Sequence, residues 1–245
     1  VRGPASWLAR WLGRRRPLAP EQAARLAAWR ARPAASAREA IGEARLVLVD
    51  VETSGLDPRR DRLIAVGAVA VVGTRLEVGR GFEVVLREEG TVEADAAVLI
   101  HGIAPGERSR GEAPVEALLG FLEYAGKSPL VAFHAPFDRA VLRRAVRAHL
   151  GLRLPNRWLD LAWLAPALYP RLGLERAGLD PWLEHFGLRP HARHRALGDA
   201  LVTGELFLVL LRQARGTGVR DLAGLLRLAR AEERASQASA GVSGV

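Results

Sequence analysis

Apolar residues first gather in blocks with strand-like length. Leu46 to Glu52 reads as a buried strand, Leu63 to Val72 as a second, and Arg80 to Leu86 as a third, closed by the polar run Arg87-Glu88-Glu89. Turn signals at Gly55-Leu56-Asp57-Pro58 and around Gly73 separate them. The period then changes to helical. Val115, Leu118, Leu119 and Leu122 mark a helix over 114–124 that leads into a fourth short strand, Leu130 to Phe133. Helices are expected over 139–150, 159–164, near 181–186, over the long apolar stretch 196–211, and from Val219 to about Arg234. Beyond that, the Ala/Ser/Gly-rich tail reads as disordered. Strands first, then helices interleaved with one more strand, predict an α/β fold with a mixed sheet flanked by helices.

Three stretches follow from this pattern: residues 1–45, a body over 46–215, and residues 216–245 as a C-terminal helix and tail. The first carries Trp7, Leu8, Trp11 and Leu12 ahead of Arg14-Arg15-Arg16, then a Pro20-Glu21 helix start running through Leu26 and Trp29. It is a basic amphipathic helical extension. Either it is an arm that touches nucleic acid, a partner or an anionic surface, or it is a pair of short helices burying their apolar stripe on the body.

Composition narrows the classes. Hydrophobic residues make up 49% of the 245, enough for one sizeable core. No apolar run approaches the roughly 18 residues of a membrane span, so a soluble protein is expected. No secretory segment opens the chain, which points to the cytoplasm. There is no Cys, so disulfides, thiolate zinc sites and a cysteine nucleophile are excluded together. The net charge is +9, but residues 1–45 hold ten Arg and three Glu, which leaves the remainder at only +2. Lys127 is the only lysine, and the Arg, Ala, Gly, Leu and Pro richness fits nucleotide bias in the coding sequence. Overall basicity therefore says little about function.

Acidic side chains in the apolar blocks say more. Asp50 and Glu52 lie two apart at the end of a strand, so alternation puts both on one face. Asp138 follows the 130–133 strand after Pro136, near a helix start where a carboxylate is favoured anyway. Asp199 lies between Leu197 and Leu201 in an apolar helix, with less structural excuse. His194 precedes it by five residues, a spacing that does not stack two side chains on one helix face. Acids in such places are costly unless a cation compensates them, and only oxygen or imidazole ligands are available. A hydrolytic metal site built on His185, His191 and His194 would lack regular spacing and leave the paired acids unexplained.

Taken together, Asp-Val-Glu-Thr-Ser-Gly-Leu at 50–56, Phe-Asp at 137–138 and His-x4-Asp at 194–199 resemble the DEDDh 3′–5′ exonucleases, the superfamily of the proofreading epsilon subunit of bacterial DNA polymerase III. Ile100-His101-Gly102-Ile103, Arg62-Leu63-Ile64, Val66-Gly67-Ala68-Val69 and Trp158-Leu159-Asp160 match further segments in order and interval. The resemblance spans about residues 45–213 and implies a ribonuclease H-like fold. Two positions depart from the family: Phe133-His134 stands where His-Asn is usual, and Ala65 where Glu is usual. Both read as changes in support or substrate contact, and they bear on substrate more than on chemistry.

The resemblance implies two ions, Mg²⁺ or Mn²⁺, which suit oxygen ligands. Ions about 3.5 to 4 Å apart stabilise both ends of an in-line displacement at phosphorus. Asp50, Glu52 and Asp199 would hold one ion, Asp50 would bridge to the second, and Asp138 would support the second. His194 would be the general base. Thr53 and Leu56 would meet the terminal nucleotide with His101, which can also be read as a simple turn residue. The substrate expected is a single-stranded DNA 3′ end, giving nucleoside 5′-monophosphates, with a polymerase as a partner. An exoribonuclease of the same fold would differ in contacts to the 2′-hydroxyl, and a non-catalytic relative would bind nucleic acid or scaffold a polymerase.

Overall fold

The computed structural model describes residues 17–88, 102–190 and 195–242. Helix α1 (Pro20–Ala31) precedes β1 (Arg45–Thr53) and β2 (Leu63–Val72). The short β3 (Arg75–Leu76), a 3₁₀ turn at Val78–Arg80 and β4 (Phe82–Val85) follow, then α2 (Pro105–Arg110) and α3 (Pro114–Ala125). Next come β5 (Leu130–Ala132), α4 (Ala135–Leu150), β6 (Trp158–Asp160), α5 (Leu161–Leu168) and α6 (Leu179–His185). Two long helices close the chain, α7 (Ala196–Gly216) and α8 (Leu222–Val242).

The sheet is mixed, in the order β3-β2-β1-β5-β6, with β4 also paired to β2. Strand β1 runs antiparallel to β2 and parallel to β5, which in turn runs parallel to β6. Alternation along β1 divides the core. Leu46 and Leu48 join Val69, Val71, Val131 and Leu159 beneath α5, α7 and α8. Val47, Val49 and Val51 face the other way, with Val66, Ala68 and Leu130, against α3 and α4. This is the α/β arrangement that the strand-then-helix order predicts.

Several boundaries differ from the expected ones. Trp158–Asp160 is a strand rather than the start of a helix, because it extends the parallel sheet beyond β5; a short apolar run has no period to reveal this. Helix α4 starts at Ala135, four residues early, since Pro136 sits in its first turn, where the missing N–H costs nothing. Only Phe82–Val85 of the third expected strand pairs as a strand, while Val78–Arg80 before it forms the 3₁₀ turn. The expected disordered tail is helical as far as Val242: Ala-rich residues without Pro add cheaply to a helix already nucleated.

Of the N-terminal stretch, α1 is docked on the body. Leu26 and Trp29 are buried in the same cluster as Leu118 and Leu122 of α3, the Trp29 indole donates to the Gly126 carbonyl at 3.1 Å, and Arg25 is paired with both Glu116 and Glu123 of α3. The tryptophan-rich residues 1–16 lie outside the described residues. Among those described, no helix is long and apolar enough to cross a membrane.

A close backbone contact seats α7 on the sheet. The first turn of α7 rests on β2 at Gly67, where an added Cβ would fall inside the backbone of Ala196 and Leu197. Gly67 is registered with Asp50 of β1 on one side and Glu83 of β4 on the other. Gly67→Ala should therefore lift α7 off the sheet. Its stability should fall by about 1–3 kcal/mol, read as a lowered midpoint in thermal or urea unfolding; a midpoint equal to wild type would contradict this packing.

Candidate active site

Strand β1 delivers Asp50 and Glu52 to the end of the sheet where α7 begins. With α7 seated on Gly67, Asp199 falls in its first turn, and carboxylate oxygens of Asp50, Glu52 and Asp199 lie within 4.8 Å of one another. The helix start explains part of this. Asp199 is only 8% exposed, but first-turn amides favour a negative charge, so its place in the helix is less anomalous than the apolar sequence suggested. Glu83 also lies close to that turn, its carboxylate 3.5 Å from the Leu197 amide.

Asp138 reaches the same end of the sheet from the opposite face. Strand β5 ends at Ala132, after pairing with Val47 and Leu48 of β1 only. The chain then turns through His134, in the left-handed region at φ 61°, into α4. The first turn of α4 places the Asp138 carboxylate against β1, where it accepts from the Val51 amide that lies between Asp50 and Glu52. A side chain thus takes the place of the missing strand. Asp138 is 6% exposed, and burial pushes its carboxyl up to about 8 despite the backbone hydrogen bonds it accepts, with the nearby charges of Asp160 and Glu52 adding to the rise.

Asp160 was read only as part of a matching segment, and the structure gives it a task. It caps α5, accepting from the Ala162 amide at 3.0 Å, and accepts from the His134 amide at the same distance. Burial raises its pKa as well. It thereby fastens the turn that aims Asp138. Its signal was available: like Asp50, it is an acid that follows a short apolar strand. His134 explains one departure from the family, because His, like Asn, is among the residues that tolerate a left-handed backbone. Ala65, the other departure, is registered with Glu52 and buried with Ile64, Ile103 and Ala196.

Thr53 and Leu56 follow directly. The register of β1 shifts between Glu52 and Thr53, and the loop beyond presents Leu56 at 85% exposure, the most exposed large apolar side chain described. His101 and His194 lie outside the described residues, as does His191 of the alternative histidine site. Ile103, two residues past His101, packs against the first turn of α7 through Ala196.

Carboxylates of Asp50, Glu52 and Asp199 gather at one end of a mixed sheet, with Asp138 near Glu52, and make an all-oxygen cluster that could hold a hard divalent cation. All donors in the group are oxygens, their spacing allows one ion to touch three of them, and the buried Asp138 is costly to ionise without a compensating cation, so the residues fit Mg²⁺ or Mn²⁺. The sequence model of the exonuclease family RNase T matches residues 47–207, and the chain belongs to that family, within the DEDDh superfamily its motifs resemble. The PolC-type DNA polymerase III of Thermotoga maritima is 31% identical over 187 residues, 76% of this chain but 13% of the relative. The DNA polymerase III epsilon subunit of Rickettsia felis is 30% identical over 174 residues, 68% of this chain and 73% of the relative. Among solved structures, E. coli exonuclease I in complex with a dT13 oligonucleotide is similar with a TM-score of 0.58 at 20% identity, covering 71% of this chain and 42% of that one. Exonuclease X in complex with 5′ overhanging duplex DNA has a TM-score of 0.56 at 21% identity, over 75% of this chain and 99% of that one. The fold is thus the ribonuclease H-like one of these exonucleases.

The raised Asp138 carboxyl has a pH consequence. Its folded pKa lies above its unfolded value, so the folded state holds the proton more tightly, and the stabilisation this brings is fully present below the ordinary carboxylate value, about 4. It is lost as pH rises towards about 8. In the presence of chelator, wild type should therefore lose stability relative to Asp138→Asn across that window, as read from unfolding midpoints. A constant difference between the two proteins from pH 4 to pH 8 would contradict it.

Proposed function

We propose that this chain is a metal-dependent 3′–5′ exonuclease that hydrolyses the terminal phosphodiester of single-stranded DNA and releases nucleoside 5′-monophosphates. The observation that carries this reading is the convergence of Asp50, Glu52 and Asp199 within 4.8 Å, four residues before the exposed Leu56 at its nearest, in a chain of an exonuclease family. In this reading Asp50, Glu52 and Asp199 would hold one Mg²⁺ or Mn²⁺ ion, and Asp50 with Asp138 would hold a second. When bound, the pair supplies Lewis-acid stabilisation of the charge that builds on the phosphoryl and leaving oxygens.

The remaining work belongs to the protein. His194 takes the proton of the attacking water, since an imidazole titrates near neutral pH. Thr53 and His101 orient the terminal nucleotide, and Leu56 offers its base an apolar surface, a contact that tolerates any sequence. The catalytic unit is the 46–215 stretch, flanked by the 1–45 extension and the 216–245 helix and tail. DNA is supported by the relatives' names as DNA polymerase III proteins, and a single strand by an exonuclease of this fold in complex with dT13. A polymerase partner and a cytoplasmic location are the corresponding reading for this chain. It spans only 13% of the length of the first of these relatives.

The test is a 5′-labelled oligonucleotide incubated with Mg²⁺ or Mn²⁺. It should shorten stepwise, remain intact with chelator, and remain intact with Asp50→Ala. A scaffold would retard the strand in a gel without shortening it, and faster trimming of an RNA of equal length would replace the DNA assignment. For His194→Ala, the rate should fall by about 10²–10⁴-fold and the near-neutral limb of the pH-rate profile should disappear; an unchanged rate and profile would remove His194 as the base.

A further inference from the structure

The loop that carries Leu56 is built around one acid that the chemistry does not use. Asp61 lies between the loop and the start of β2, and its two oxygens divide the work. Oδ1 accepts from the Ser54 hydroxyl at 3.1 Å, and Oδ2 accepts from the Asp57 amide at 2.7 Å. These donors bracket Gly55 and Leu56. The carboxylate is packed so closely under the loop that a Cβ on residue 55 would lie 2.6 Å from Oδ2, which only glycine avoids. The base of the loop is closed by the Ser54 amide to the Arg62 carbonyl and by the Arg62 amide to the Ser54 hydroxyl, both 3.0 Å. The Asp61 amide returns to the Asp57 carbonyl at 2.8 Å. From α4, the guanidinium of Arg144 is within electrostatic reach of Asp61 and Asp57.

Leu56 at the tip of this frame remains 85% exposed. An apolar side chain in water gains by collapsing onto any nearby apolar surface, and a glycine beside it leaves the backbone free to let that happen. Hydrogen bonds on both sides of the pair oppose it. We infer that Asp61 is a positioning residue for substrate: it holds Leu56 erect at the mouth of the site, so that the 3′-terminal base meets a surface already in place. This rests on the reading of Leu56 as the group that contacts the base. The entropy of ordering the loop is then spent on folding and not on binding, and preorganisation of this kind acts on affinity.

A steady-state comparison on single strands tests it in the full chain. For Asp61→Asn, the charge is lost and a single acceptor oxygen is left for the two donors, so both brackets weaken even where the amide donates to the Ser54 hydroxyl instead. KM for a strand ending in an ordinary nucleotide should rise about tenfold with kcat within about twofold. For a strand whose 3′-terminal nucleotide is abasic, the same variant should show no rise, and in a Leu56→Gly background Asp61→Asn should add nothing. Ser54→Ala, which removes one of the donors to Asp61 and the acceptor of the Arg62 amide, should show the same pattern and serves if Asp61→Asn does not fold. An equal penalty on abasic and ordinary ends, or a fall in kcat with KM unchanged, would overturn the inference, because Asp61 would then act on the fold or on Glu52. Both results presuppose a wild type that trims strands; a wild type that leaves all of them intact would overturn the reading of the site and this inference with it.

Discussion

Three carboxylates stand within 4.8 Å of one another because a helix touches a strand where there is no side chain. The repulsion among Asp50, Glu52 and Asp199 would drive them apart in a pliable protein. Here each is tied to an element that cannot retreat. Asp50 and Glu52 are on the central antiparallel pair, β1 with β2, and Asp199 is on the first turn of a helix whose apolar face, including Leu206, Phe207 and Leu210, is buried in the core. Hydrophobic burial on both faces of one sheet is the force that opposes the electrostatics. Gly67 sets the distance at which the two meet.

The fourth acid shows the same economy by another route. A short β5 leaves the amide of Val51 without a strand partner, and Asp138 supplies the acceptor from α4. The ligand candidate is thus also a structural bond, which ties its position to the middle of the Asp50–Glu52 pair. Asp160 secures the turn before it through the His134 amide. Burial raises both carboxyls, so both are costly to ionise without a compensating positive charge. The Asp50, Glu52 and Asp199 half of the site lies instead at a helix N-terminus, with Asp199 in the first turn of α7.

The loop after β1 completes the division of labour. The register shift at Thr53 breaks the strand, and Asp61 rebuilds order beyond it through Ser54 and Asp57. The end of a rigid central strand therefore carries Asp50 and Glu52, and a framed loop carries the exposed Leu56. The distance between charge and apolar surface is set by the end of β1 and the framed loop together, since Glu52 and Leu56 are four residues apart on one continuous stretch of chain.

Local pattern alone settled much of this. Two-residue spacing put Asp50 and Glu52 on one face, the strand-then-helix order gave a mixed sheet, and the ordered motifs identified the exonuclease family, because each depends on neighbours along the chain. Tertiary structure decided the rest. That Asp199 reaches Asp50 depends on Gly67, over 130 residues earlier in the chain; that Trp158–Asp160 is a strand depends on the free edge of β5; that Asp138 bonds Val51 depends on where β5 stops. Each is a contact between segments distant in sequence, and no periodicity within a single segment encodes the gap that another must fill.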